Sequence, residues 1–265
     1  AVMGAPGVNA QSAKVLKWAH VYESGSAYHT SALWAAEEIK KRTDGRYDIK
    51  VFPASSLGKE VDINEGLNIG SVDIIYTGPA FAAQSYGPLA ISDYPFILRD
   101  YDHWKAYRDS DLFAEMGEGY RQATGNTVTA LTYYGARHVT ANKPILKPED
   151  MKGLKIRVPN APVYVMFPKA VGANPTPMAF SEVYLALQQG VVDAQENPLP
   201  TIKFKKFYEV QSNINLTGHI INSLVTVISG LTLGGMSDAD AAILKQVTKE
   251  AAERASNEIN TAEQN

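Results

Sequence analysis

The feature that most restricts how this chain can fold is an internal echo. Residues E-G-L-N-I lead into Gly70-Ser71-Val72-Asp73-Ile74, and L-A-L-Q-Q leads into Gly190-Val191-Val192-Asp193-Ala194. Each run follows a proline-containing loop, Phe52-Pro53 to Gly58 in one case and Asn174-Pro175-Thr176-Pro177 in the other. In both, a glycine ends a helix and the next residues enter a buried strand. G-x-V-D is short enough to recur by chance. The shared order of strand, loop, helix, glycine and strand makes two similar lobes the better reading.

Hydrophobic spacing extends the pattern on both sides of the echo. Residues 15–19 read as an apolar strand, and 29–41 as a helix whose stripe is Leu33, Ala36 and Ile39. Tyr47, Ile49 and Val51 alternate as a strand, 59–69 is helical, and 72–76 is a strand. The second half repeats the rhythm with strands at 128–133 and 155–158 and a helix at 162–171. Such alternation predicts an α/β architecture with a largely parallel sheet. Two α/β lobes create a cleft, and ligands of such proteins sit there, beyond the carboxyl ends of strands. From Ser237 to Gln264 a single long helix is predicted, with Ser237 as its cap and Ile243, Val247, Ala251, Ala255 and Ile259 as its stripe. It ends without a stop signal, as a helix cut short would.

Composition removes whole classes of function. The 265 residues carry 25 basic and 28 acidic side chains, a net charge of −3, with no basic concentration of the kind nucleic acid requires. No cysteine is present, so disulfides, thiolate metal sites and thiol nucleophiles are excluded. The longest uncharged stretch, 220–237, is too polar and glycine-rich for a membrane span and reads as buried strand. Residues 1–13 are uncharged and rich in small side chains, which fits a signal-peptide remnant and a tag-like tail equally well.

Catalytic signatures are absent: there is no G-x-S-x-G, no phosphate loop, no H-E-x-x-H and no G-x-G-x-x-G. The five histidines show no metal-ligand spacing, so no metal and no cofactor are expected. What stands out is Tyr133-Tyr134-Gly135-Ala136-Arg137-His138 after a strand, and Gly153-Leu154-Lys155-Ile156-Arg157-Val158-Pro159-Asn160, which sets an arginine inside a strand. Alternation puts Lys155, Arg157 and Pro159 on the side away from Leu154, Ile156 and Val158. A guanidinium there can hold a carboxylate bidentately, as lysine cannot. On these residues alone, a salt bridge explains Arg157 better than a ligand does.

The stretch G-L-K-I-R-V-P-N, with the later G-A-N-P-T-P-M-A-F-S-E-V-Y-L-A-L-Q-Q-G-V-V-D-A-Q-E-N-P, resembles the signature region of the TRAP-type periplasmic solute-binding proteins. The likeness reaches back through Y-Y-G-A-R-H-V-T-A-N-K-P and F-P-A-S-S-L-G and forward through K-K-F-Y-E-V-Q. It implies a two-lobed α/β binding-protein fold with a mixed or mostly parallel sheet in each lobe and a ligand cleft between them. Lobe one would take residues 14–134 plus about 223–265, and lobe two 135–222. Position by position, Arg157 resembles the arginine that pairs with the ligand carboxylate, Arg137 a second arginine nearby, and Asn197 the amide that completes the clamp. Glu60 and Asn160 resemble pocket-edge positions, and Phe180 a side chain packing on the ligand's apolar face.

Among members of this family, sialic-acid binders share P-T-P-M-A-F-S-E-V-Y-L-A-L-Q most closely, yet Thr77-Gly78-Pro79-Ala80-Phe81 lacks the charged residues that those proteins carry there for a long polyol tail. A tighter pocket bordered by His20, Tyr22, Glu23, Glu60 and His138 would suit a smaller sugar acid, a uronate or an aldonate. A C4-dicarboxylate binder of the same family and an α/β enzyme acting on a sugar acid are the alternatives. The resemblance further implies a periplasmic monomer without stable membrane insertion, whose partners are an organic-acid ligand and the membrane subunits of a TRAP transporter.

Overall fold

The structure is a computed structural model that describes residues 12–265, so most of the signal-like stretch 1–13 lies outside the described residues. The first half alternates as expected: β1 (Lys14–Ala19), α1 (Ala27–Arg42), β2 (Tyr47–Phe52), α2 (Glu60–Ile69), β3 (Ile74–Thr77) and the short α3 (Pro79–Ala82). Two helices, α4 (Tyr101–Arg108) and α5 (Asp111–Thr124), lead into β4 (Thr127–Ala141). The second alternation is β5 (Lys155–Val158), α6 (Met166–Ala170), β6 (Asn174–Pro177), α7 (Val183–Gln188), β7 (Ala194–Pro198) and α8 (Leu199–Phe204). The chain closes with β8 (Asn213–Ile228), α9 (Gly230–Gly234) and α10 (Asp238–Gln264).

All eight strands join in the order β2-β1-β3-β8-β4-β7-β5-β6. Both ends are parallel, β2-β1-β3 on one side and β7-β5-β6 on the other, as crossover helices demand. Between them β4 and β8 run antiparallel from Thr127↔Ile228 to Ala141↔Asn213. The two lobes therefore share these two strands. The expected strand 128–133 is the first half of β4, because its second half finds partners in both β7 and β8. Likewise the strand expected within 220–237 starts earlier, at Asn213, and gives way to α9 after Ile228. The helix expected at 162–171 is a 3-10 turn, Pro162–Val165, followed by α6.

The echo has a shared physical basis. Gly70 and Gly190 take φ of 75° and 70°, a left-handed conformation that glycine adopts without a Cβ penalty. Asp73 then donates its backbone N–H to the carbonyl of Lys17 (2.9 Å), and its carboxylate accepts from Lys17 N (2.8 Å). Asp193 repeats both bonds on Lys155, at 2.8 and 3.4 Å. In each lobe the aspartate clips its strand to a parallel neighbour.

Helix α1 buries Ala32, Ala35, Ala36 and Ile39 but leaves Leu33 45% exposed, so the expected stripe holds at Ala36 and Ile39 and fails at Leu33. Long α10 follows its expected stripe, burying Val247, Ala251, Ala255 and Ile259 against β4 and α1. Near its end, Glu263 accepts from Ala136 N (2.6 Å) and the Tyr133 hydroxyl (2.7 Å), gripping β4 where its register shifts at Gly135. Gly135 has φ 120°, and a Cβ there would stand 2.8 Å from Cβ of Pro198. Gly135→Ala should thus cost about 1–3 kcal/mol in urea unfolding. An unchanged midpoint would show that the bend does not depend on this residue.

Candidate ligand-binding cleft

The strand ends converge where the two parallel ends of the sheet face each other. Tyr22 follows β1, Glu60 opens α2, Gly78 follows β3, Tyr134 and Arg137 come from β4, and Arg157 from β5. Tyr164, Phe180, Asn197 from β7 and Asn222 from β8 complete the wall. The cavity between them is narrow, about 30 Å³, room for a water but not for a molecule of sugar size.

Arg157 is 2% exposed, and its Nε and Nη2 both donate to the Met178 carbonyl, at 3.0 and 2.8 Å. It forms no ion pair among the described residues. Burial, with the like charge of Arg137 nearby, pulls its pKa down to about 10. This is the signature of a cation held out of water without a carboxylate. Its guanidinium carbon also stands 5.9 Å from the centre of the Phe180 ring.

Arg137 is the opposite case. Its Nε and Nη2 grip both carboxylate oxygens of Glu196, at 2.5 and 2.7 Å, and Nη2 also reaches the Glu196 carbonyl at 2.9 Å. Nη1 donates to Oδ1 of Asn222 (2.8 Å), while His219 Nε2 lies 2.9 Å from Glu196 Oε2. Burial alone would raise the Glu196 pKa, but Arg137 and His219 hold it at about 2. Arg137 is therefore matched within the protein and is only a half-available cation.

Asn197 accepts from the Tyr134 hydroxyl (3.1 Å) and donates to Gln195 Oε1 (2.7 Å). Glu60 Oε1 accepts from Gly78 N (2.7 Å) and the Thr77 hydroxyl (2.9 Å), whereas burial pushes the Glu60 carboxyl up. Phe180 lies between Tyr22, 6.0 Å away, and Nζ of Lys205, 5.0 Å from its ring centre.

The sequence thus brought Arg157, Arg137, Asn197, Glu60, Phe180 and Tyr22 together, and four other expected residues stand elsewhere. Asn160 is exposed and makes no side-chain hydrogen bond among the described residues. His20 stacks behind Tyr22, accepts from Tyr22 N and meets His29, and burial pushes its pKa down to about 3. His138 follows Arg137 on β4 but does not line the cleft, and it accepts from Gly218 N. Glu23 sits at the rim, paired with Lys205 at 2.8 Å. Residues not anticipated as site residues are Tyr134, Tyr164 and Asn222. An amide two residues from Leu224 in the apolar second half of β8 was the signal available for Asn222, because alternation gives both the same face.

Among the described residues there is no cluster of His, Asp and Glu suited to a metal, and no helix long and apolar enough to cross a membrane. A sequence profile of the bacterial extracellular solute-binding proteins, family 7, matches residues 18–265. The sialic acid-binding periplasmic protein of Vibrio cholerae is 36% identical over 259 residues, covering 98% of this chain and 80% of the relative. Among solved structures, a TRAP periplasmic solute-binding protein from Polaromonas sp. JS666 bound to D-erythronate superposes with a TM-score of 0.91 at 34% identity, covering 95% of this chain and 83% of that one. One from Roseobacter denitrificans with bound L-galactonate gives 0.90 at 33%, covering 94% and 82%. Nearly the whole of this sequence and its two-lobed sheet thus match solute-binding proteins, and the chain belongs to the TRAP-type solute-binding proteins, a family of binding proteins rather than enzymes.

Proposed function

We propose that this protein captures a sugar acid, a uronate or an aldonate, in the cleft around Arg157 and hands it, in the periplasm, to the membrane subunits of a TRAP-type transporter. The observation that carries this reading is the buried Arg157 guanidinium without a carboxylate partner. A ligand carboxylate would supply the missing charge, with Arg137 and Asn197 at its side. Closure dries the cleft and strengthens that contact as the local dielectric falls.

Around the cation the wall offers hydroxyls and amides: Tyr22, Tyr134, Tyr164, Asn197 and Asn222. These groups suit a hydroxylated chain or ring. Among the described residues that line the cleft there is no second free cation, which a C4-dicarboxylate would want, because Glu196 already holds Arg137. The acids bound by the Polaromonas and Roseobacter relatives are of the same hydroxylated kind. In this reading lobe one is 14–134 with about 223–265, lobe two is 135–222, and the protein acts as a monomer. The break at 134/135 falls on the Gly135 register shift in β4.

A thermal-shift panel tests it with D-galacturonate, D-glucuronate, L-galactonate, succinate, glucose and galactose. A ligand at 100-fold its Kd adds about 2.7 kcal/mol, roughly 5–10 °C for a chain of this size. A shift with sugar acids and none with neutral sugars is expected. Shifts with neutral sugars alone would refute the carboxylate reading.

A further inference from the structure

The wall facing Arg157 contains a second built feature, a three-residue relay that ends in a charge. Asn64, one turn along α2, donates one N–H to the Glu60 carbonyl (2.8 Å) and the other to Thr77 Oγ1 (2.8 Å). Because that oxygen accepts from Asn64, its own hydrogen is free to go to Glu60 Oε1, 2.9 Å away. Thr77 is fully buried, and Gly78 N holds the same Oε1 at 2.7 Å. Two donors therefore fix one oxygen of Glu60, while Oε2 makes no hydrogen bond among the described residues and belongs to a side chain that lines the cavity.

We propose that Glu60, set by Thr77 and Asn64, is the specificity-determining charge of the cleft: it accepts a ligand hydroxyl and rejects a second carboxylate, so the site discriminates hydroxylated monocarboxylates from dicarboxylates. This rests on the reading of Arg157 as the carboxylate clamp. An ionised acceptor is among the stronger hydrogen-bond partners for a hydroxyl in a dry cleft. The same charge penalises a ligand carboxylate placed against it, at a cost that corresponds to a preference of about a hundredfold or more. Arg157 and Arg137 are the cations that face Glu60, and Tyr22, Tyr134 and Tyr164 stand nearby as neutral hydroxyls. Of the two cations, Arg137 is already held by Glu196, so it does not offset a second ligand charge.

Calorimetric titration of the full chain at neutral pH with D-galacturonate, L-galactonate, succinate and L-malate tests this, using wild type, Glu60→Gln and Thr77→Val. Wild type should favour a sugar acid over succinate by about a hundredfold. Glu60→Gln should shrink that ratio by at least tenfold, since an amide no longer repels a carboxylate. Thr77→Val leaves the carboxylate in place but unfixed, and should move the ratio the same way by a smaller factor while the melting temperature shows it folded. A merely structural role would weaken all four acids alike, leave the ratio unchanged, and overturn the proposal. Wild type that binds succinate as tightly as the sugar acids would overturn it too, with the Arg157 clamp intact. Wild type that binds none of the acids would sink the clamp reading and this inference together.

Discussion

Arg157→Ala should weaken sugar-acid binding by about 2–5 kcal/mol, roughly 30-fold to several thousand-fold, while leaving the fold as stable as before or more so. The two halves of this expectation have one cause. In the free protein the guanidinium is buried against a single carbonyl without a counter-ion, and its depressed pKa records the penalty of holding it there. Removing it relieves that penalty, yet strands the ligand carboxylate in a dry cleft. Arg157→Lys should recover only part of the affinity, because a point charge lacks the planar fork. Calorimetric Kd and urea midpoints measured on the same samples check both halves. An alanine variant binding within a few-fold of wild type would remove Arg157 from the site.

The reverse is expected of Glu196. Glu196→Ala leaves Arg137 buried and unmatched, a loss of about 3–5 kcal/mol, or a fall of roughly 6–20 °C in Tm. Both partners are at most 2% exposed, so solvent does little to soften it. The same pair sets a pH dependence. Held at about 2 in the fold against an ordinary 4.5, the Glu196 carboxyl contributes stability that is complete above pH 4.5 and lost as pH falls toward 2. Scanning calorimetry from pH 7 to 3 should therefore show wild type losing stability faster than Glu196→Gln. Parallel curves would mean the charge is not what Arg137 requires.

These two arginines show how far the sequence could be read. Strand β5 was legible to the residue, because Ile156 and Val158 alternate with Lys155 and Arg157 and one register fits. What alternation could not reveal was whether a carboxylate elsewhere would reach either guanidinium. Glu196 lies 59 positions from Arg137, and only the pairing of β4 with β7 brings them together. The histidines were misplaced for a related reason. His20 and His138 stand within two positions of wall residues along the chain, yet His20 lies behind Tyr22 in the bend after β1 and His138 is engaged by Gly218 N. The second half of β4 and the start of β8 were hidden because polar residues such as Arg137, Thr140, Asn215 and His219 interrupt their apolar runs. Those residues are nonetheless buried, since the strands are covered on both faces where the lobes meet.

Sharing two strands also governs how such a protein can be divided and how it can evolve. Neither half closes its own sheet: cutting β4 and β8 between the lobes would leave each piece with two severed strand ends and exposed ladder groups, an invitation to aggregate. The halves are therefore not modules that can be expressed apart or exchanged between relatives. Ligand preference in such an architecture has to change in place, through side chains on the strand ends, while the backbone that carries them is inherited whole.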